Sequence, residues 1–338
     1  MRPSLHPRLV NNPFEDPVLF LQFIFDKHAL LFDLGDIHAL STRDILKLSG
    51  VFVTHTHMDH FVGFDRLLRL FLGRNKRLAV YGPADFLKNI ESKLGAYQWN
   101  LVDNFSNDFS LQVHEIRPDA IVSQIYPCGQ GFQPKQPPVF KPFSSRIVNT
   151  PAFTIDAEIM DHRIPCLGYS IKERFHINIR KDALQHLGLT PGPWINRFKE
   201  ALYNKTAPQT LLNIPFENGN RRQAVLGDLA EQIAVISPGQ KITYIADVGY
   251  QPENITKILR LAENSDHLFL EAAFMHKHAG IAAEKYHLTA RQAGELAAQA
   301  QVKRFTPFHF SPRYTECPKA ILEEAMRAYR AGTAETQH

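Results

Sequence analysis

A seven-residue run, THTHMDH at positions 54–60, constrains this chain more than any other feature of its sequence. It contains three histidines and an aspartate and directly follows the apolar run GVFV, a pattern that predicts a buried strand. Imidazole and carboxylate groups are natural zinc ligands, and a strand end holds them on a rigid element. His55 and His57 would project to one side of an extended segment, whereas Asp59 and His60 would face a second centre. The run therefore predicts a site for two metal ions.

Each ion would need further ligands, and three side chains at predicted strand ends could supply them. They are His162 in MDHRIP, Asp247 in YIADVGY and His309 in PFHFSPRY. An aspartate in an apolar strand is costly to bury unless it is paired or bound to a metal. Asp247 could also cap the helix predicted after it, and capping would not exclude ligation. Taken alone, His162 and His309 could equally be histidines of the core or of the surface.

Strands and helices alternate through both halves of the chain, which predicts one layered α/β domain over residues 1–338. The strands are predicted at ALLFDLGD, GVFVTH, RLAVYGP, FSLQVHEI, AFTIDAEI, CLGYSI, KITYIADV, HLFLEAAF and RFTPFHF. Amphipathic spacing from Phe64 to Leu72 predicts a helix directly after the histidine run. The stretch VLFLQFIFDKHALLF is interrupted by Asp26, Lys27 and His28, so it predicts two strands and a turn rather than a membrane span. The proline-rich run GQGFQPKQPPVFKPF predicts a connection without regular structure, and the sequence assigns no role to residues 97–150.

Composition bears on the compartment and on the partner. The cysteines Cys128, Cys166 and Cys317 are widely spaced, so they form neither a disulfide framework nor a CxxC zinc pair. The N-terminus lacks an apolar signal core, and together these features predict a cytoplasmic protein with no membrane partner. A net charge of +4 suits a polyanionic partner without requiring one.

Residues 173–225 differ in composition and pattern from the sequence on either side of them. They are basic, helical in pattern and broken by Pro-Gly-Pro, which predicts an arm, near 173–215, inserted within the domain. Its basic residues, including Lys181 and Arg197, could form an ordinary solvated surface or could contact RNA. His276 and His278, in MHKHAG, are interpreted as exposed loop residues rather than metal ligands.

These motifs together carry a family resemblance. HTHMDH matches the HxHxDH signature of the metallo-β-lactamase superfamily, and three further segments resemble its ribonuclease Z branch. The segments are INIRKDALQHLGLTPGPW, QAVLGDLAEQIAVISPGQKITYIADVG and AEKYHLTARQAGELAAQAQVKRFTPFHFSPRY. The resemblance implies an αββα sandwich, with two mixed sheets between helical layers and an exosite-like arm.

The resemblance also implies a ligand set and a catalytic set. His55, His57 and His162 would hold one ion, Asp59, His60 and His309 the other, and Asp247 would bridge them together with a hydroxide. Two divalent ions are implied, with zinc expected, although manganese and iron accept the same ligands.

Beside Asp59, the implied catalytic residues are His287, which would donate a proton to the leaving oxygen, and Glu271, which would orient His287. Arg313 would contact phosphate or brace the His309 loop, and Lys181 and Arg197 would contact substrate from the arm.

The implied function is removal of the 3′ trailer from precursor tRNA by a homodimer. The chain departs from the family pattern at its opening, where NNPFEDPVLFLQF replaces a glycine-rich loop. It departs again at Leu270–Ala273 and Ala246–Val248, which replace His-Glu-Ala-Thr and Gly-Asp-Thr. Two alternatives stay open: a hydrolase of small phosphodiesters such as cyclic nucleotides, and an RNA-binding protein without catalytic activity.

Overall fold

Two β-sheets packed face to face, with helices on both outer faces, form the αββα sandwich that the resemblance implies. The computed structural model of the chain describes residues 5–23, 28–215 and 220–335. The predicted turn at Asp26 and Lys27 lies outside these ranges.

The first sheet contains eight strands of the described chain in sequential order. They are β1 (Leu5–Leu9), β2 (Leu19–Phe23), β3 (Ala29–Phe32), β4 (Leu48–Phe52), β5 (Lys76–Gly82), β6 (Phe109–Ile116), β7 (Ala120–Pro127) and β8 (Val139–Pro142). Strands β3 to β6 run parallel, and the outer pairs at both edges are antiparallel.

The later strands form the second sheet and the inserted arm. They are β9 (Arg146–Asn149), β10 (Phe153–Asp161), β11 (Pro165–Glu173), β12 (Phe175–Ile179), β13 (Leu211–Pro215), β14 (Arg221–Val225), β15 (Ala234–Pro238), β16 (Lys241–Ile245), β17 (His267–Glu271) and β18 (Phe305–Phe308). The second sheet has the order β18-β17-β16-β11-β10-β9, and β16, β17 and β18 are parallel.

Helices cover the outer faces of both sheets. The helices that do so are α1 (Thr42–Ile45), α3 (Phe64–Phe71) and α4 (Phe86–Gly95) on the first sheet, and α8 (Pro252–Ala262), α10 (Ala290–Gln299) and α11 (Pro318–Glu335) on the second. Short helices α2 (Met58–Phe61) and α9 (Ala279–Glu284) lie in connections, and α5 (Lys181–His186), α6 (Trp194–Tyr203) and α7 (Leu226–Ile233) belong to the arm. Helix α3 confirms the amphipathic prediction, because Phe64, Leu67, Leu68 and Phe71 are all buried. None of the helices in the described ranges is long and apolar enough to cross a membrane.

The core of the sandwich lies in three layers. Apolar side chains between the sheets include the stacked rings of Phe32 and Phe52 and those of Tyr244 and Phe308. A second layer lies between the first sheet and α1, α3 and α4, and a third between the second sheet and α8, α10 and α11. Burial on both faces explains why the parallel strands read as nearly continuous apolar runs.

The arm has a small core of its own, formed around Trp194 and Phe198 of α6. Strands β12 and β15 pair with each other, and so do β13 and β14. The sequence predicts that the arm ends near residue 215, which is the last residue of β13. Ile233 of α7 and Ala234 of β15 also pack in the core of the arm, so the segment with this separate core extends to β15. The helical pattern did not reveal these strands.

The proline-rich run is not free of regular structure as predicted, because β8 pairs with β7 through Val122 and Phe140. Its Pro142 lies at the end of an edge strand, where a missing backbone N–H is tolerated. The interpretation of His276 and His278 as exposed was also wrong. Both are half-buried, and their Nδ1 atoms bond to the Thr289 hydroxyl and the Tyr314 hydroxyl at 3.1 and 2.6 Å.

The parallel strands of both sheets end at the same edge of the sandwich. Asp33 and His55 follow β3 and β4 closely in the first sheet. In the second sheet, Asp247 and His309 follow β16 and β18, and Glu271 ends β17. The architecture thus gathers polar side chains from distant parts of the sequence at one edge.

Candidate metal centre

Three groups of potential metal ligands meet at this edge. The first consists of His55, His57, His162 and Asp247, the second of Asp59, His60 and His309, and the third of Asp247, Glu271 and His287. Within each group the candidate ligand atoms lie within 4.8 Å of one another. The structure therefore brings together all seven side chains expected as ligands, in the two sets expected from the sequence.

The Asp247 carboxylate lies between the two sets. Its Oδ2 atom is 3.5 Å from Nε2 of His55, 3.4 Å from Nε2 of His60 and 3.6 Å from Nε2 of His162. Its Oδ1 atom is 2.9 Å from Nε2 of His309. Helix α8 begins at Pro252 and its N-cap is Gln251, so Asp247 does not cap that helix.

Backbone geometry turns three of the polar residues towards the edge. Asp33, Asp247 and His309 have φ angles of 58°, 46° and 58°, in the left-handed region that non-glycine residues seldom occupy. Each follows closely on the end of a strand, after β3, β16 and β18 respectively. Such conformations persist where the surroundings fix them, and they cluster at functional sites.

Asp33, fully buried beneath the centre, holds His60 in place. Its Oδ1 accepts hydrogen bonds from the Thr54 N–H and hydroxyl at 2.7 and 2.8 Å, and its Oδ2 accepts one from the Tyr244 hydroxyl at 2.8 Å. His60 Nδ1 is 2.9 Å from the same Oδ2. Because a carboxylate only accepts, Nδ1 of His60 carries a proton, which leaves Nε2 as the atom that can face a metal.

Hydrogen-bond partners outside the ligand groups also orient two further histidines, His162 and His55. His162 Nδ1 bonds to the Tyr286 carbonyl at 2.7 Å, which directs its Nε2 towards Asp247. His55 Nδ1 is 3.1 Å from the Thr54 hydroxyl and 3.8 Å from the Cys166 sulfur. Oxygen partners of this kind set the tautomer of a metal-binding histidine.

Unsatisfied polar atoms support a cation at the centre. Nε2 of His60 and Oδ1 of Asp247 are buried without a hydrogen-bond partner, although buried polar atoms are normally bonded. Asp247 Oδ1 lies 2.9 Å from His309 Nε2, so the two atoms are close enough to share one cation. Imidazole nitrogens and carboxylate oxygens also suit divalent transition metals, so the residues present fit two such ions.

Burial and neighbouring charges shift the pKa values of the cluster in opposite directions. Burial and the nearby His60 hold the pKa of His55 far below its ordinary value, so its ring is neutral. Burial disfavours the ionised form of Asp247, but His309 and His60 outweigh it and keep the Asp247 pKa well below its usual range. Burial also opposes protonation of His60 and His309, but Asp33 and Asp247 outweigh it at His60 and Asp247 outweighs it at His309, so both histidine pKa values are raised in the metal-free chain. A bound cation would replace those protons. A neutral imidazole and an ionised carboxylate are the forms that bind metals.

His287 and Glu271 form a pair at the side of the centre. Nδ1 of His287 lies 3.1 Å from Oε2 of Glu271, and Oε1 of Glu271 also accepts a bond from the Val248 N–H at 2.7 Å. Burial opposes protonation of His287, but the Glu271 carboxylate outweighs it and raises the pKa of His287 to about 9. His287 is therefore protonated at neutral pH, as a general acid must be.

The mouth of the centre is a cleft of about 320 Å³ that exposes His287 and His309 to solvent. Phe14, Glu15 and Asp16 form one wall, in the segment that replaces the glycine-rich loop. The Phe310 N–H donates to the Pro13 carbonyl at 2.7 Å and so holds this segment against the second sheet.

The residues expected to contact substrate lie apart from the ligand groups. Arg313 is exposed, two residues after Ser311, which lines the mouth. Lys181 and Arg197 are exposed on α5 and α6 of the arm.

Sequence reasoning missed Asp33, Thr54 and Tyr244. Asp33 ends an apolar strand, so the burial argument applied to Asp247 would also have identified it.

Comparison with known proteins gives a consistent result. A family model described as "Beta-lactamase superfamily domain" matches residues 29–177 and 206–310, leaving a gap within the arm. Ribonuclease Z of Deinococcus radiodurans is 27% identical over 306 residues, covering 89% of this chain and 87% of that protein. Ribonuclease Z of Thermobifida fusca is 30% identical over 297 residues, covering 86% and 77%. Among solved structures, the short form of human tRNase Z aligns with a TM-score of 0.52 at 17% identity, covering 92% of this chain and 93% of that one.

Proposed function

Because the chain belongs to the beta-lactamase superfamily, in its ribonuclease Z-like branch, we propose that it is a metal-dependent endoribonuclease that removes the 3′ trailer from precursor tRNA. The observation that carries the proposal is the meeting of seven ligand side chains at one edge of the sandwich. The relatives named ribonuclease Z support the choice of substrate.

We assign the two metal sites as the ligand groups divide. His55, His57 and His162 would hold one ion, Asp59, His60 and His309 the other, and Asp247 would serve both. Zinc is the proposed metal because nitrogen ligands predominate. When bound, a pair of such ions acidifies water and neutralises charge on phosphoryl oxygens.

The protein itself orients the ligands and supplies a proton. Asp33 and the Tyr286 carbonyl hold His60 and His162 with their Nε2 atoms towards the centre. His287 binds Glu271 through Nδ1, so its Nε2 would donate the proton to the 3′ oxygen of the tRNA as the bond from that oxygen to phosphorus breaks, which leaves the phosphate on the trailer. The expected product is a tRNA with a 3′-hydroxyl.

The position of the arm supports a homodimer. Strand β11 has the metal centre near Pro165 and the arm beyond Glu173, and at a rise of about 3.3 Å per residue its two ends lie about 26 Å apart. An arm attached at the far end is better placed to serve a second subunit than its own centre. We therefore propose that Lys181 and Arg197 of one subunit hold the body of a tRNA that enters the other's centre.

The proposed location is the cytoplasm, in keeping with three cysteines that form no disulfide.

The test is cleavage of precursor tRNA by the purified protein loaded with zinc or manganese. The expected result is a single cut at the 3′ end of the tRNA, lost on substitution His162→Asn and kept on His38→Asn, a control because His38 is exposed and outside the ligand groups. Metal-loaded protein that leaves precursor tRNA uncut would refute the proposal. If that protein still hydrolyses bis(p-nitrophenyl) phosphate, a small-phosphodiester hydrolase becomes the better account.

Subunit mixing tests the dimer. A chain carrying Lys181→Glu and Arg197→Glu should be inactive on tRNA, and so should a chain carrying His162→Asn. Co-expressed, the two should form dimers with one intact arm facing one intact centre, and part of the activity should return. Failure of complementation in a confirmed heterodimer would contradict the assignment of the arm.

A further inference from the structure

A basic groove lies outside the metal centre, along the open edge of the sandwich. It runs between the edge strands β1 and β18 and has a volume of about 570 Å³. Its charged and hydrogen-bonding walls include His6 and Arg8 on β1, His267 on β17, and Arg304 and Thr306 beside and on β18. The buried side chains of Phe20 and Phe269 also line it.

The charge of the groove is of one sign. None of the ten residues described as lining it is acidic. Asp266, beside His267, is engaged by Lys303 at 2.7 Å and by the Lys241 N–H at 2.8 Å. Arg8 lies over the Phe20 ring at 5.5 Å, which positions its guanidinium on the groove wall.

His267 adds a neutral hydrogen-bonding group. Burial and the nearby Arg304 lower the pKa of His267 to about 4, so the ring is uncharged at neutral pH. Its Nε2 bonds to the Thr306 hydroxyl at 2.8 Å. The groove thus combines two guanidinium charges, those of Arg8 and Arg304, with polar groups that can contact phosphate and sugar oxygens.

Both walls of the groove continue to the metal centre. Thr306 lines the groove and His309 lines the mouth. The two residues are three positions apart in the sequence, so their Cα atoms are at most about 10 Å apart. On the other wall, Leu9 lines the groove and Phe14 lines the mouth. The rings of Phe14 and Phe310, 5.4 Å apart, lie where the two walls meet.

We propose that this groove binds a single-stranded RNA segment that leaves the metal centre over Phe14, with Arg8 and Arg304 contacting its phosphates. This inference rests on the proposed function, in which the segment is the 3′ trailer. The groove suits a single strand because its volume is small, its charge is complementary to phosphate, and residues of both its walls lie a few positions along the chain from residues of the mouth. The half-buried Phe14 offers a ring on which a base can stack.

Direct binding of RNA tests the groove independently of catalysis. A fluorescent single-stranded RNA is titrated with the full chain, and its anisotropy is measured at several salt concentrations. The double variant Arg8→Gln with Arg304→Gln should bind at least about tenfold more weakly. Its slope of log K against log salt should fall by about 1.4, because each lost phosphate contact on a single strand removes about 0.7.

Two controls separate charge from folding. Arg8→Lys with Arg304→Lys keeps the charge and should retain most of the affinity and slope. Arg77→Gln removes an exposed arginine four strands away in the first sheet, paired with Asp108 at 3.6 Å, and should leave both unchanged. Unchanged affinity and slope in the glutamine double variant would overturn the proposal. So would a poly-glutamate peptide that binds the groove as tightly as RNA.

Cleavage links the groove to the trailer. This experiment requires that the wild-type protein cleaves precursor tRNA. The glutamine double variant should then have a kcat/KM about tenfold below wild type for a precursor with a long trailer. For a precursor with a single-nucleotide trailer, its kcat/KM should equal that of wild type. An equal loss for both trailers would overturn the trailer assignment. Wild-type protein that cuts no precursor tRNA would refute the proposed function instead, while the binding experiment still decides whether the groove holds RNA.

Discussion

The substitution Asp33→Asn probes how the protein prepares His60 for a metal. Asp33 faces four donors at 2.7 to 2.9 Å: the Thr54 N–H, the hydroxyls of Thr54 and Tyr244, and Nδ1 of His60. An asparagine of the same shape keeps one acceptor and turns the other oxygen into a donor. With its oxygen towards Thr54, its amide would face two donors, and Nδ1 of His60 would have to accept. The proton would then move to Nε2, the atom directed at the metal.

The magnitude follows from the bonds lost. Two hydrogen bonds to a charged acceptor are lost, each worth about 1.5–3 kcal/mol, so the free energy of unfolding of the metal-free protein should fall by about 3–6 kcal/mol. Loss of an oriented outer partner should also weaken zinc binding about 10- to 100-fold.

Urea unfolding of the metal-free chain and competition titration with a zinc indicator measure the two effects separately. The control Tyr244→Phe removes one donor to Asp33 and leaves the His60–Asp33 bond, so it should lower the free energy of unfolding by about 1.5–3 kcal/mol and keep zinc affinity near wild type. Asp33→Asn with wild-type zinc affinity, and with the His60 proton still on Nδ1 by NMR, would refute the reasoning.

Three further predictions address the proton donor, the fold and the backbone. His287→Gln should lower kcat about 10²- to 10⁴-fold while two metals per chain are retained, and an unchanged kcat would exclude His287 as the acid. Burial and Lys141 lower the pKa of His114 to about 4, against about 6.5 in an unfolded chain, so only the unfolded chain takes up this proton between those values. The free energy of unfolding should therefore fall by up to about 3 kcal/mol as pH drops from about 6.5 to about 4, and His114→Gln should remove that part of the slope in urea unfolding. Gly35→Ala would put a Cβ 2.4 Å from the Asp59 carbonyl oxygen, so zinc content should fall from two towards one per chain, and full occupancy would contradict this account.

The fold class and the candidate ligand groups could be anticipated because their signals are local. Apolar runs of strand length and the helical spacing after Gly63 are properties of neighbouring residues. The HxHxDH run places four of the seven proposed ligands within six positions. The other three lie at strand ends, and two of them, Asp247 and His309, lie within segments that resemble the family.

Features that depend on packing could not be anticipated. The half-burial of His276 and His278 arises because Thr289 and Tyr314 reach them from elsewhere in the chain. Strand β8 forms although its sequence is proline-rich, because β7 offers a free edge.

The left-handed backbone at Asp247 and His309 has no sequence signal, since it is imposed by the strands on either side. The basic groove lies between β1 and β18, which are at opposite ends of the sequence. These strands come together only when the two sheets pack face to face. Such contacts become visible only when the pairing of distant strands is known.

The central claim is that seven dispersed side chains form two adjacent metal sites. Its most direct test is a crystal structure of the zinc-loaded protein, with anomalous diffraction recorded on both sides of the zinc absorption edge. Two anomalous peaks are predicted, one among His55, His57 and His162 and one among Asp59, His60 and His309, with the Asp247 carboxylate between them. A zinc-loaded crystal with no peak at these residues, or with one of the two groups empty, would contradict the claim.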